Sequence, residues 1–302
     1  MKTHKLLVLL TILSFFLGCS KSDDNNIPLA EANPLRVSNY KVGTNSYNIF
    51  YDNDYRPILI EAPNNNLEIE YNSEGLISKH ADYEYTYDAT GKISTIIDLN
   101  PYSSSTDAET ITQNYDSSGK LTEIIASTPN SFFANGGEFI QQSNFLYDTT
   151  NRLIEIIQIS NAANISRFNK FELEYDTNNN INKITELSSE NGTDYITGDT
   201  RRYIYDNKNN PERLFLELAN VNGDFIRFDP IVNNVISTIS FAGLGYIPKN
   251  NIISTTISDN NSSISQTLDI TYDNEYPIIA ESEITFNTTN TTILTWSYEG
   301  NF

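Results

Sequence analysis

The chain has 302 residues, 38% hydrophobic and 12% aromatic, with 39 Asp and Glu against 19 Lys and Arg, a formal charge of −20. That length can bury a sizeable core, and that charge excludes a nucleic-acid role, because phosphate binding needs a basic face. The single cysteine excludes an intramolecular disulfide framework and any Cys-rich zinc site.

Lys2, His4 and Lys5 form a short polar start, and Leu6 to Leu17 is apolar apart from Thr11 and Ser14. This run is too short for a membrane-spanning helix, which needs about 20 residues, and suits a signal-peptide core. It closes on Phe16-Leu17-Gly18-Cys19. The segment resembles a bacterial lipoprotein signal, with residues 1–18 removed and Cys19 lipidated, although Phe16 stands where Leu is usual. The resemblance implies a membrane anchor at Cys19. Residues 19–35 then read as a solvated tether. Its Ser20-Lys21-Ser22-Asp23-Asp24 run resembles the export signal of Bacteroidetes lipoproteins, which implies the outer face of the outer membrane.

From residue 36 to 302 a repeat governs the chain. Tyr-Asp recurs at 51, 87, 115, 147, 175, 205 and 272, with Tyr71-Asn72 and Tyr298-Glu299 as variants. From Tyr71 onward, the fourth residue after Tyr is Gly75, Gly91, Gly119, Asn151, Asn179 and Asn209. Gly and Asn best tolerate left-handed backbone, so a tight turn is expected there, capped by the Asp side chain. The residues entering each turn alternate with period two, as in Leu67/Ile69/Tyr71 against Glu68/Glu70, which predicts half-buried antiparallel strands. Each unit is therefore a β-hairpin. The Tyr column reads as cross-strand aromatic packing.

These Tyr-Asp-x-x-Gly/Asn-Lys/Arg-Leu/Ile units, at Tyr87, Tyr115 and Tyr147 with degenerate copies from Tyr51 to Tyr298, resemble the Tyr-Asp repeats of the Rhs family. They resemble more closely an uncharacterised family of Bacteroidetes lipoproteins with a porin-like fold. The expected fold is all-β, one antiparallel hairpin-repeat sheet curled into an open or closed barrel. One break separates Tyr205 from Tyr272. Within it Asp229-Pro230, followed by apolar residues at spacings of three and four, predicts a helix near 229–243 that covers part of the sheet.

Chemistry is sparse. His80 is the single histidine beyond the signal and sits where other repeats carry Ile, so it reads as a packed residue. Asp176-Thr177-Asn178-Asn179-Asn180 resembles the start of a calcium loop but lacks the later Gly and Glu, and reads as a turn. No cofactor, metal or catalytic constellation is assigned. Aromatics outside the Tyr column are candidates for ligand stacking: Tyr102, Phe132, Phe133 and Tyr246, with Tyr55 and Tyr276 behind them. The expected role is a surface-exposed outer-membrane lipoprotein binding a glycan, peptide or partner protein. The alternatives are a carboxylate-dependent glycan hydrolase and an outer-membrane pore. The pore reading draws on the terminal Trp296-x-Tyr298-x-Gly300-x-Phe302, which resembles the end of outer-membrane barrels. Against it stand entering strands with only three clean alternations, and Glu123, Glu155 and Lys183 on one face with Asp98, Gln158 and Glu186 on the other.

Overall fold

The Tyr-Asp units form hairpins because each supplies its own turn chemistry. In the computed structural model, which describes residues 34–64, 66–99, 108–130, 137–162, 165–219, 225–226, 239–241, 244–259, 262–285 and 289–300, six turns share one geometry. The N–H of the Asp or Asn after Tyr donates to the carbonyl four residues on, at 2.8–2.9 Å. Its side-chain Oδ1 accepts two backbone N–H groups of the turn, as Asp88 does from Thr90 and Lys92 at 2.7 and 3.0 Å. The residue after the turn's apex is left-handed: Gly75, Gly91 and Gly119 at φ 78°, 78° and 83°, Asn151 and Asn179 at 69°. This is a three-residue hairpin loop with a glycine-type bulge. Asp176 caps such a turn through Asn178 and Asn180.

The first eight strands are short: β1 (Arg36–Val42), β2 (Asn45–Tyr51), β3 (Pro57–Glu61), β4 (Asn66–Tyr71), β5 (Ile77–His80), β6 (Tyr83–Tyr87), β7 (Ile93–Asp98) and β8 (Glu109–Tyr115). Six longer ones follow: β9 (Leu121–Asn130), β10 (Gly137–Tyr147), β11 (Leu153–Ala162), β12 (Ile165–Tyr175), β13 (Ile181–Ser189) and β14 (Ile196–Asn209). After an excursion, β18 (Asn250–Ser258), β19 (Ser263–Asp273), β20 (Tyr276–Thr285) and β21 (Thr289–Glu299) complete the sheet. Every neighbouring pair is antiparallel, and β1 pairs with both β2 and β21, so the 18 strands close into a barrel. The expected barrel is thus closed, not open.

At the turn end of the ring the 18 strands meet in nine pairs. Seven are joined by tight turns, the last being Asp273 to Tyr276 in the β19–β20 hairpin. The eighth, β14–β18, opens into the excursion, and the ninth, β21–β1, joins the two ends of the chain. Asn209 therefore does not occupy a repeat turn as its column suggested; it lies in β14 opposite Asn250.

The excursion holds helix α1 (Pro211–Leu218) and a small sheet of β15 (Phe225–Ile226), β16 (Ile239–Phe241) and β17 (Leu244–Tyr246). Asn210 caps α1 by accepting from Glu212 N–H at 2.9 Å, and Pro211 stands in its first turn, where a missing N–H costs nothing. Phe215 and Leu216 pack into the barrel core. Of the helix expected near 229–243, residues 229–238 and 242–243 lie outside the described residues, while Ile239–Phe241 is strand. The covering role falls to α1, whose Asn210-Pro211 start is the same signal one segment earlier.

Inside the barrel, cross-strand partners form a buried apolar layer: Ile49 with Ile60, Tyr85 with Ile96, Phe145 with Ile156, Leu173 with Ile184. Each buried Ile, Leu or Phe side chain contributes about 1.5–3 kcal/mol by leaving water.

Candidate functional site

At the turn end of the barrel, adjacent hairpins part company. The pairing of β3 with β4 stops at Leu59 and Glu68, and that of β9 with β10 at Glu123 and Asn144, so the last three residues of each entering strand leave the ladder. The tyrosine of the motif spans the gap. Eight of them, Tyr51, Tyr71, Tyr87, Tyr115, Tyr147, Tyr175, Tyr205 and Tyr298, donate their hydroxyl to a backbone carbonyl of the preceding hairpin at 2.5–3.0 Å. Tyr272 donates instead to the Asp206 carboxylate. Burial pushes the phenols of Tyr87, Tyr115 and Tyr147 up to about 12, so they remain donors at any physiological pH.

The Lys or Arg that follows the left-handed residue completes four of the wedges. Arg56, Lys92, Lys120 and Arg152 lie over the rings of Tyr71, Tyr115, Tyr147 and Tyr175 in the next hairpin, at 4.7–5.6 Å from the ring centres. Sequence alone predicts packing aromatics at these tyrosines; the structure makes them hydrogen-bonded staples between hairpins. The Lys/Arg column was part of the motif but carried no role.

The two walls differ in polarity. The inner wall is apolar near the turns and becomes polar further up, where Ser143 faces Gln158, Phe171 faces Glu186 and Asp98 faces Glu109. Arg201 pairs with Glu186 at 3.7 Å, and Thr128 Oγ1 donates to Glu109 at 3.3 Å. The outer wall carries charge on strand after strand: Glu68 and Glu70 on β4, Glu84 on β6, Glu123 on β9, Glu155 on β11, Glu172 and Glu174 on β12. Lys183 meets Glu174 at 2.5 Å, and Lys170 meets Glu172 at 2.8 Å, both across or along this outer face. Glu123, Glu155 and Lys183 therefore face outward, and Asp98, Gln158 and Glu186 inward, as the alternation required. The strand-length objection to a pore does not hold throughout, because β9 to β14 run to 9–14 residues.

No family model matches the chain, and no curated protein matches it. Among solved structures, the chain is similar to a porin-like protein from Bacteroides vulgatus. The two share 14% identity with a TM-score of 0.45, over 88% of this chain and 99% of that one. It is also similar to a porin-like protein from Bacteroides uniformis, at 11% identity and a TM-score of 0.38, over 89% and 98% of the two chains.

Of the residues singled out from sequence, Cys19, Tyr102, Phe132 and Phe133 lie outside the described residues. Tyr246 lies in β17, only 5% exposed, among the core residues. His80 faces inward opposite Ile69 and is fully buried; that burial pushes its imidazole down to about 4, so it is a neutral core residue at pH 7. Among the described residues, no group of three or more His, Cys, Asp or Glu side chains is gathered as metal ligands would be. Tyr55 is where sequence and structure meet unexpectedly. It occupies the left-handed position of the first turn, at φ 62°, and borders an open cleft of about 770 Å³ between β1 and β2. Counting the Gly/Asn column from Tyr71 onward left that position out.

Proposed function

We propose that the chain is a surface-exposed outer-membrane lipoprotein, anchored through lipid on Cys19, whose barrel stands in water as a non-enzymatic binding module for a glycan, peptide or partner protein. The observation that carries this reading is the order of the two walls: apolar side chains fill the inside near the turns, and charged ones recur over the outside, between exposed Leu146, Ile204, Ile279 and Ile293. A membrane-spanning barrel has the reverse order, with an apolar outer band about 25 Å tall and a polar lumen. An outward Lys at the bilayer midplane costs about 2–4 kcal/mol and an outward Glu less, and the outer wall here carries both, mostly Glu, on strand after strand. The tether and the lipid signal supply the membrane attachment.

The pore reading keeps one observation in its favour, the 9–14-residue strands from β9 to β14, long enough to cross a bilayer when tilted. The hydrolase alternative would use inward acids such as Asp98 and Glu109. Residues 34–302 produced without detergent are expected to fold as a monodisperse species with no conductance in planar bilayers. Recovery only in detergent, together with conductance, would put the pore in its place. Polysaccharide turnover abolished by Asp98→Asn would instead favour the hydrolase.

A further inference from the structure

One wedge at the turn end takes its cation from a strand. In the four described above, a cation from the preceding turn lies over the next tyrosine. No turn precedes the β1–β2 wedge, because the neighbour across β1 is β21, the last strand of the barrel. Arg36, from β1 itself, takes the cation's place over Tyr51 at 5.5 Å, and the wedge stays open as the cleft of about 770 Å³. That volume falls within the range of about 300–1,000 Å³ that small-ligand sites occupy.

The lining of this cleft is Arg36, Asn39, Phe50, Asp52, Tyr55 and Glu299, with neighbouring amides. Three features of it bear on what it could hold. Phe50 is 44% exposed on the outer wall, as Leu146 and Ile204 are at the same position of β10 and β14, and it borders the cleft. Tyr55 keeps a bulky ring in left-handed backbone, where the equivalent turns hold Gly or Asn, and for such a residue that conformation is a genuine outlier. The Arg36 guanidinium lies over both Tyr51 and Tyr55, and donates to Glu299 at 3.1 Å, which fixes its plane.

Charge narrows the ligand. Arg36 is balanced by Glu299, and Asp52 is held by its own turn and by Arg56 at 2.7 Å, so the cleft offers an anion no surplus of positive charge. What it offers is aromatic surface beside planar forks: a guanidinium, carboxylates, and the amide of Asn39, whose Nδ2 donates to Ser46, Tyr47 and Asn48 at 2.7–3.0 Å. A pyranose presents the matching pair of surfaces, a C–H face for a ring to cover and vicinal hydroxyls that both donate and accept.

We propose that this cleft is a saccharide site that takes a neutral oligosaccharide, with Phe50 and Tyr55 as stacking platforms and Arg36, Asn39 and Glu299 holding hydroxyls. The proposal rests on the binding-module reading and gives it a ligand class and an address.

The full-length protein in detergent micelles is applied to an array of neutral and acidic glycans, and the bound ones are titrated calorimetrically. Neutral oligosaccharides are expected to bind, and Tyr55→Gly to weaken them about tenfold or more while leaving the thermal midpoint unchanged or raised, because Gly relieves the left-handed backbone. Phe50→Ser, an exposed change, is expected to weaken binding without unfolding. Glycan binding that survives both substitutions would overturn the cleft as the site and leave the binding-module reading intact. Binding of acidic glycans alone, or of none, would overturn the ligand class. Loss of the binding-module reading itself shows in the detergent-free and conductance measurements, which the two substitutions do not touch.

Discussion

The arc from β2 to β7 is built of strands of four to seven residues, and the arc from β9 to β14 of strands of nine to fourteen. At their turn ends the two arcs are alike, with the same Asp- or Asn-capped turn, the same tyrosine staple and the same aliphatic layer. They differ at the far end. There the long arc runs on past inward Ser143, Gln158 and Glu186 to Ala162, Ile165 and Ser189, whereas the short arc ends within the apolar layer at His80 or one step above it at Asp98. The comparison teaches that length and stability are uncoupled in this barrel: the apolar layer near the turns holds it together, and added strand length contributes wall without adding core.

The largest test sets one arc's layer against its own extension. Ile156→Ala, in the fully buried layer, is expected to cost about 2–5 kcal/mol in urea unfolding. Ile165→Ala, 64% exposed at the far end of β12, should stay within about 0.5 kcal/mol. Equal losses would break the division into holding layer and extension.

A second test uses the short arc's histidine. His80 titrates at about 4 when folded and at 6.5 when not, burial being the cause. Above pH 6.5 both states are neutral and nothing is lost. As pH falls from 6.5 to about 4 the unfolded chain takes the proton and the folded one does not, so stability drops by about 3 kcal/mol and then levels off. His80→Ile should flatten a plot of thermal midpoint against pH over that window. The turn carboxylates act lower. Asp88 and Asp116 are held below the usual range by the Thr90 and Ser118 hydroxyls and by backbone N–H groups, so their stabilisation is lost only as pH falls below about 4. A variant that keeps the wild-type slope between pH 6.5 and 4 would show that His80 does not cause it.

The smallest test asks whether the staple is worth the same in both arcs. Tyr87→Phe and Tyr147→Phe each remove one hydroxyl from a carbonyl, that of Ile77 or Leu121. Each is expected to cost about 1 kcal/mol. A much larger cost in the short arc would mean that its thinner wall leans on the staples.

Much of this design is written locally. The Gly/Asn column found five left-handed turns because the backbone tolerates few residues there, and period-two alternation assigned the walls because a strand has no other way to bury one face. What escaped reading depends on partners far along the chain. Each stapled carbonyl lies 10 to 26 residues before its tyrosine, and a phenol's hydrogen bond leaves no mark on hydrophobic periodicity. The Lys/Arg column belongs to one hairpin and acts on the next. Helix α1 went unread because Asn209 looked like one more turn residue, although Asn210-Pro211-Glu212 carries a capping signal of its own. The cleft was half legible: Tyr55 stood out as an aromatic outside the Tyr column, but its backbone and its neighbour Arg36 emerge only once the barrel closes.

Closure has a consequence in time. Most strand pairs join neighbours in sequence, so hairpins can add one after another as the chain emerges. The β1–β21 pair is different: Arg36 meets Glu299 across 263 residues. In free energy that distance matters little, since each doubling of a loop adds only about 0.6 kcal/mol. In sequence of events it matters more, because non-local pairing is slow. Until Leu294 and Trp296 arrive opposite Val42 and Tyr40, the growing sheet carries two raw edges, each a template for the wrong chain. The first strand to be made is among the last to be satisfied.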